Sequence, residues 1–527
     1  MRKALSKRLQ LMRNGSAQTE LIYFPPYEPP EPSSEWEGEV PATPLNRKID
    51  FVVSYVNGTA AVDRASQRAS AETRSRLSDW NELWFNLLSI WRNGRLCLTP
   101  QQRAQYGISR PRCLRGKTYV VVANQRHVPF WLDGVKGDLL NVATLTPFQR
   151  WLRDEVAVVF HKHLDPCQNI DPHMSRERRA TEGCHGVNIF KEDLEMGLFN
   201  SLSIEAIIPF YPPLRDTWIY FNNDQVLGRE LRLIGDIFSP ASDNPFRLRR
   251  LLYHEGPQSK KAVKESLANW RKYYQNKTNS TLPESSYQLS NFETAVRVQQ
   301  RVLGLSKSDS PTVYRFAHVP WVFEKRYVIQ LLEENPVNHT VNGIVGRHDA
   351  DLLVPFVYLH FMIALSQRGS PKRNGSGGNL TYIDGAVTIN VSAAPFRSEY
   401  RFLYFREYKN LRGFIDAYHH DRRGWVMKPV LWFTLNDEVG VFADAVTERN
   451  SSVAADESLM PSANDLYGGD ARNRWLPLDC AAARSKMNER LSNPSSLSST
   501  AKQCWLILLQ VQVLYCQVIA AGLDAGT

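Results

Sequence analysis

The chain of 527 residues lacks the short motifs that mark the commonest nucleotide and hydrolase sites. It contains no G-x-x-x-x-G-K-[ST], no G-x-G-x-x-G after a strand-like run, no G-x-S-x-G and no H-E-x-x-H. These absences disfavour P-loop NTPases, Rossmann dehydrogenases, α/β-hydrolases and zincins. Cysteine is scarce and odd in number, seven residues with no C-x-x-C pair, so a structural zinc site is not expected. Cys97, Cys113, Cys167 and Cys184 are spaced so that they could pair after folding, which points to a disulfide or two in a secretory compartment. No basic block of the nucleic-acid kind is present. The positive residues are scattered, as in 248-LRRLLYHEG and 421-DRRGW, and read as solvated faces. A net charge of +10 therefore suits acidic glycans and nucleotide-sugar phosphates, and no nucleic acid partner is expected. No internal repeat is visible. The start, MRKALSKRLQLMRNG, has positive charge with no apolar stretch behind it, so it reads as neither signal peptide nor anchor. Residues 504–523 are uncharged and about long enough to span a bilayer, but three glutamines favour a buried helix or a tail. Any membrane association would run through a missing or atypical anchor.

What is present is a globular composition, 43% hydrophobic, long enough for about two to three packed units. Residues 1–47 are rich in Pro and Glu and read as an unstructured leader. The run 49-IDFVVSYV is continuous, apolar and β-branched, ends at Asn57-Gly58, and predicts a buried strand. A helix is expected over 80–91, where Leu83, Leu87 and Ile90 recur at helical spacing. Further strands are expected at 118–123, 156–160 and 217–221, the last after a helical segment around 203–209. This alternation predicts an α/β fold with a mostly parallel sheet flanked by helices. Residues 48–229 would form the first part of that domain and 311–445 the second. The charged stretch 230–310 reads as an insertion, with helices expected at 328–332 and 352–365 beyond it. A final strand is expected over 429–435, and 446–527 would form a low-order tail.

Ligands of such sheets bind outside the carboxyl ends of the strands. Polar clusters fall at those ends: Asn57-Gly58, Asn124-Gln125-Arg126, His161-Lys162-His163 and Asn222-Asn223-Asp224. In 220-YFNNDQVLG, Asp224 could hold a divalent cation that in turn holds a diphosphate, although Asn and Asp also simply make turns. The segment 433-FTLNDEVG repeats the pattern with Asn436 and Asp437. Arg347, His348, Asp349 and Asp351 form either a phosphate-binding set or a surface ion-pair network. His318, in FAHVPW, is either a reactive imidazole or a hydrogen-bonded core residue. His161 and His163 would share one face if the strand continued through them. N-x-[ST] sequons, among them those at Asn276, Asn338, Asn379, Asn390 and Asn450, add to the lumenal reading.

Taken in order, four separated blocks resemble the Stealth family of sugar-1-phosphate transferases. They are 49-IDFVVSYVNGT; then 76-RLSDWNELWFNLLS with YVVVANQRHVPFWL, FNSLSIEA and YFNNDQVLG; then AHVPW through GRHDADLLVPF; and LNDEVG. The resemblance covers most of 48–440 outside the charged stretch. It implies a nucleotide-sugar transferase-like fold and transfer of a hexose- or pentose-1-phosphate from a UDP-sugar to a glycan or glycoprotein hydroxyl, with release of UMP. A divalent cation, Mg²⁺ or Mn²⁺, and a Golgi or secretory-lumen location are implied with it. On matched positions, Asp50, Asn57 and Gly58 would line the nucleotide side, and Asp79 and Glu82 would support the site. Asn124, Asn222, Asn223, His348 and Asn436 would contact substrate. Asp224 and Asp437 would hold the cation, Arg347 would neutralise the diphosphate, and His318 would act as general base. Two positions depart from the pattern. Asn223 stands where the family usually has the first of two aspartates, and Ala60 stands where an acidic residue is common. A noncatalytic nucleotide-sugar or glycan binder and a glycosyltransferase releasing UDP are the competing readings.

Overall fold

The computed structural model describes residues 45, 47–56, 82–109, 113–137, 145–242, 245–278, 287–335, 351–368, 386–393, 400–405 and 430–437, less 169, 172, 176–177, 180–183, 188 and 199. The chain divides between Pro41 and Ala42, and every described residue belongs to the second part. The expected leader, the tail and the segment 504–523 lie outside the described residues.

Along the chain the elements are β1 (Ile49–Ser54), α1 (Glu82–Asn93), α2 (Pro100–Gln105), β2 (Arg115–Val122), α3 (Phe130–Lys136), α4 (Pro147–Glu155) and β3 (Val156–Phe160). Next come α5 (Lys191–Met196), α6 (Ser201–Ile207), β4 (Thr217–Asn222), β5 (Gln225–Leu227), β6 (Phe238–Pro240) and β7 (Leu248–Gln258). Then follow α7 (Lys260–Thr278), α8 (Tyr287–Leu303), β8 (Val313–Phe316), β9 (Trp321–Glu324), α9 (Lys325–Glu334) and α10 (Val354–Arg368). The last elements are β10 (Ala386–Asn390), β11 (Tyr400–Phe405) and β12 (Trp432–Asp437).

The central sheet has the order β3-β2-β1-β4-β9. Its first four strands are parallel, and β9 closes the edge antiparallel to β4. All six residues of β1 are buried, as expected for a strand covered on both faces. Its side chains alternate between two cores. Phe51 and Val53 join Val120, Val122, Ile219 and Phe221 under α1, α3 and α4. Val52 joins Tyr119, Val121, Trp218 and Tyr220 under α6, α8 and α10. The chain adds β2 and β3 on one side of β1 and then crosses to add β4 on the other. That reversal makes the sheet doubly wound and opens a crevice between the carboxyl ends of β1 and β4. Helix α4 begins on a capping box in which the Thr146 hydroxyl accepts from the Gln149 N–H while the Gln149 side chain accepts from the Thr146 N–H.

Residues 230–310 are more than an added loop. Strand β7 is the centre of a second sheet, of order β10-β7-β6, with β8 also on β7. Helix α8 sends Phe292, Ala295, Val298 and Val302 into the same core as α10. Asn291 of α8 donates its amide to Asp351 O (2.8 Å) and accepts from Leu353 N (2.8 Å), which anchors the start of α10. The charge that made this stretch look peripheral lies on the outer faces of α7 and α8. Its one fully buried cation, Arg250, has a distant partner.

Arg250 on β7 is fully buried, pairs with Glu324 of β9, and donates to Val322 O (3.2 Å) and the Tyr358 hydroxyl (2.8 Å). This guanidinium fastens the second sheet to the edge of the first and to α10. We expect Arg250→Met to cost about 3–5 kcal/mol, because it strands Glu324 as a buried charge. The double change Arg250→Met with Glu324→Leu should recover much of that loss. Urea unfolding checks this, and a single-variant loss below about 1 kcal/mol would show that the pair is dispensable.

Candidate functional site

The site is built at the β1/β4 crevice by helix α1. Although α1 buries Leu83, Leu87 and Ile90 as its spacing predicts, it also buries Glu82, Asn86, Ser89 and Asn93. These four fall at i, i+4, i+7 and i+11 and share one face. That polar stripe lies against the segment that follows β4. Asn86 Nδ2 donates to Asn222 O (3.0 Å) and Gln225 O (2.6 Å). Ser89 Oγ accepts from Leu227 N (3.0 Å) and Asn93 Nδ2 donates to Leu227 O (2.7 Å). Glu82 Oε2 accepts from Asn223 Nδ2 at 2.6 Å. Within the segment, the Gln225 side-chain oxygen accepts from Asn222 N (2.9 Å) and closes the turn that carries Asn223 and Asp224. The turn and the polar site are therefore one object.

Beneath the turn lies a hydroxyl cluster. Tyr220 OH contacts Ser54 Oγ (2.7 Å) and donates towards Asn222 Oδ1 (2.9 Å) and Glu205 Oε1 (3.4 Å). Burial, with the Glu205 carboxylate beside it, holds the Tyr220 hydroxyl well above its ordinary pKa, and Asp224 adds in the same direction. It is therefore a neutral hydrogen-bonding post. His318, in the loop between β8 and β9, completes the rim. Its Nδ1 lies 3.5 Å from Gln225 Nε2, and its carbonyl accepts from Thr434 Oγ1 of β12 at 2.8 Å. Because the Gln225 oxygen faces Asn222, its amide nitrogen is the end that donates to His318, so the neutral imidazole keeps its lone pair at Nδ1 and its proton at Nε2.

Strand β12 approaches the same turn. Thr434 pairs with Gln225 and Trp432 with Leu227, antiparallel. The pairing with β5 ends at Thr434, and Asn436 and Asp437 pair with Tyr404 and Phe405 of β11. Both are the last residues of β12 and do not follow it, as the sequence suggested. The structure thus gathers Glu82, Asn222, Asn223, Asp224 and His318, with Thr434 of β12 beside them.

Other candidates fall elsewhere. Asp50 is the second residue of β1, so about 13 Å of extended strand separates it from Ser54 at the carboxyl end. It is fully buried and accepts from Lys117 N (2.9 Å), Arg215 N (3.0 Å) and the Arg215 side chain (3.3 Å). Its role is to close the amino end of the sheet; it does not line the crevice. Asn124 caps the short turn Gln125–His127 at the end of β2, accepting from Arg126 N at 3.0 Å. His161 and His163 do not share a strand face, because the chain coils into a 3₁₀ turn over His161–Leu164. His161 accepts from Leu198 N (2.9 Å), and burial with His127 nearby pushes its imidazole down to about 3. Asp351 is held by Asn200 Nδ2 at 2.7 Å and tethers α6 to α10. Asn57, Gly58, Asp79, Arg347, His348 and Asp349 lie outside the described residues, as does Ala60.

Ser54, Asn86, Ser89, Asn93, Glu205, Gln225 and Thr434 were not anticipated. The stripe on α1 had a signal, since polar side chains recur at helical spacing inside an otherwise apolar segment. Ser54 and Glu205 had none, because only the register of β1 on β4 brings Ser54 beside Asn222. Among the described residues, no group of three or more His, Cys, Asp or Glu side chains is placed to hold a metal ion. No known family model and no curated protein sequence matches the chain.

Two outcomes test this geometry. Asn86→Leu keeps the volume but leaves the carbonyls of Asn222 and Gln225 without their donor, and should cost about 2–4 kcal/mol by chemical denaturation. A loss under about 1 kcal/mol would show that the turn holds itself. The second concerns Asp50, whose carboxyl burial pushes up to about 6 against the opposing Arg215 and Lys117 contacts. As pH falls from about 6 to about 4, the folded chain takes up this proton before the unfolded one, so Asp50 adds stability on acidification, up to about 3 kcal/mol. Asp50→Asn should lack that gain, and parallel stability–pH curves for the two proteins would refute it.

Proposed function

We propose that the chain is a sugar-1-phosphate transferase of the kind its sequence blocks resemble, with its site in the β1/β4 crevice. One observation carries the reading. Residues from four distant parts of the chain, namely Glu82, the Asn222–Gln225 turn, His318 and Thr434, meet at the carboxyl edge where a doubly wound sheet binds ligands. They belong to two of the four blocks matched to the family, and a third, LNDEVG, begins at Leu435, the residue after Thr434.

In this reading the acceptor hydroxyl attacks the β-phosphorus of a UDP-sugar. The bond from that phosphorus to the bridging oxygen breaks, UMP leaves with the oxygen, and a sugar phosphodiester remains. His318 takes the acceptor's proton at Nδ1, which requires the hydroxyl to displace the 3.5 Å contact from Gln225 Nε2. Asn222 and Asn223 offer amide groups to the donor, and Arg347 is assigned to the diphosphate. A cation of the Mg²⁺ type is commonly held by one or two carboxylates together with substrate phosphates. Asp224 and Asp437, from adjoining segments, would supply that pair, and the cation would neutralise diphosphate charge. The disulfides Cys97–Cys113 and Cys167–Cys184 suit an oxidising, secretory lumen such as the Golgi. No helix among the described residues is long and apolar enough to cross a membrane.

One contact favours the noncatalytic reading. Asn223, in the place of an aspartate, is occupied with Glu82. Incubating the purified chain with UDP-sugars, a glycan acceptor and Mg²⁺ or Mn²⁺ separates the readings. We expect UMP release that falls about 10²–10⁴-fold in His318→Ala and Asp224→Asn. Binding of UDP-sugar without UMP under either metal would establish a noncatalytic binder, and release of UDP would establish a glycosyltransferase.

A further inference from the structure

The sequon Asn390-Val391-Ser392 is the one whose side-chain bonds the structure defines. It lies at the end of β10, an outer strand of the second sheet, whose described partner is β7. Three contacts fix its shape. Val391 is buried and donates its N–H to His254 O (2.8 Å), so the middle of the sequon is pinned to the sheet. The chain then turns, with Ala393 N donating to Asn390 O (3.1 Å) and Ser392 N donating to Asn390 Oδ1 (2.9 Å). Ser392 is exposed, and its hydroxyl donates to Glu255 O at 3.1 Å.

This turn folds the asparagine amide back over its own serine and engages the amide oxygen. Nδ2 has no hydrogen-bond partner among the described residues. On its flank lies Gly256, where even an added Cβ would stand 3.6 Å away, so a substituent on the nitrogen meets no side chain from β7 there. The disulfides place the folded chain in a compartment where such modification occurs. The location has a structural use as well, because an outer strand of a sheet invites pairing with other chains, and a bulky hydrophilic group at its end obstructs that pairing.

We propose that Asn390 is N-glycosylated. The co-substrate is an oligosaccharide linked through pyrophosphate to a lipid. Nδ2 loses one proton and forms a bond to the anomeric carbon, while the bond from that carbon to the pyrophosphate oxygen breaks and the lipid pyrophosphate leaves with the electron pair. This assignment does not depend on the transferase reading.

The test is to produce the full chain in the secretory pathway of eukaryotic cells and map its peptides after treatment with peptide-N-glycosidase. Conversion of Asn390 to aspartate is expected, with both disulfides formed. Asn390→Gln and Ser392→Ala should each abolish the conversion and remove one glycan's mobility shift, whereas Ser392→Thr should preserve both. Ser392→Ala keeps the Asn390 turn, so loss of modification there reports the sequon and does not reflect misfolding. An unmodified Asn390 peptide in disulfide-bonded protein would overturn the assignment. So would a chain whose four cysteines stay reduced while Asn390 is unmodified.

Discussion

The carboxamide of Asn86 carries the constraint on which the site depends. A strand that ends in the middle of a sheet must turn away, and its last carbonyls then point into the interior. Buried carbonyls need donors. Here the two carbonyls that flank the turn, Asn222 and Gln225, both take theirs from one side-chain amide on a neighbouring helix. Because a helix presents residues at i, i+4, i+7 and i+11 on one face, the same element can also serve Leu227 at both its N–H and its carbonyl. The position of Asn223 and Asp224 is thus fixed by α1, and the polar stripe of α1 is explained by the turn. Neither has a separate reason to exist.

Strand β1 divides the polar demands of the fold between its ends. At the amino end, Asp50 is satisfied by backbone N–H groups and Arg215, which leaves it committed to closing the sheet. At the carboxyl end, Ser54 joins the neutral Tyr220 hydroxyl, which also reaches Asn222 and the Glu205 carboxylate. The Arg250–Glu324 pair adds the third fixed point, since it holds β9 against β7 and so sets where the loop bearing His318 ends.

Much of the fold was legible in the sequence, and the reason is local. Strand β3 matches its expected span, and β1, β2 and β4 differ by one to three residues from theirs, because buried parallel strands read as unbroken β-branched runs. The doubly wound order was not legible, since no local pattern says on which side of β1 the fourth strand is added. The order within 230–310 was not legible for a related reason. Arg250 looks like a surface cation until Glu324, 74 residues away, is placed against it. The same limit applied to the site. YFNNDQVLG could be flagged as polar residues after a strand, but its support comes from Asn86, 136 residues from Asn222. His161 and His163 failed as a pair because they were assigned the wrong periodicity; the chain coils at the point where the strand was taken to continue.

Asn223 is the residue at which structure and resemblance inform each other most. Its amide lies 2.6 Å from the Glu82 carboxylate, a distance suited to a charge-assisted hydrogen bond. An aspartate in its place would set two carboxylates against one another, and such a pair cannot both ionise without a proton or a cation between them. A chain with the paired aspartates would therefore need its cation to hold the turn together. This chain does not, because the amide supplies the donor that a cation would otherwise replace. With asparagine at this position, the turn is held without a metal. Any cation in the proposed reaction then rests on Asp224 and on the end of β12, with the substrate's phosphates supplying the rest. In the proposed reaction, the order of the turn and a weaker hold on the cation would both follow from the same hydrogen bond.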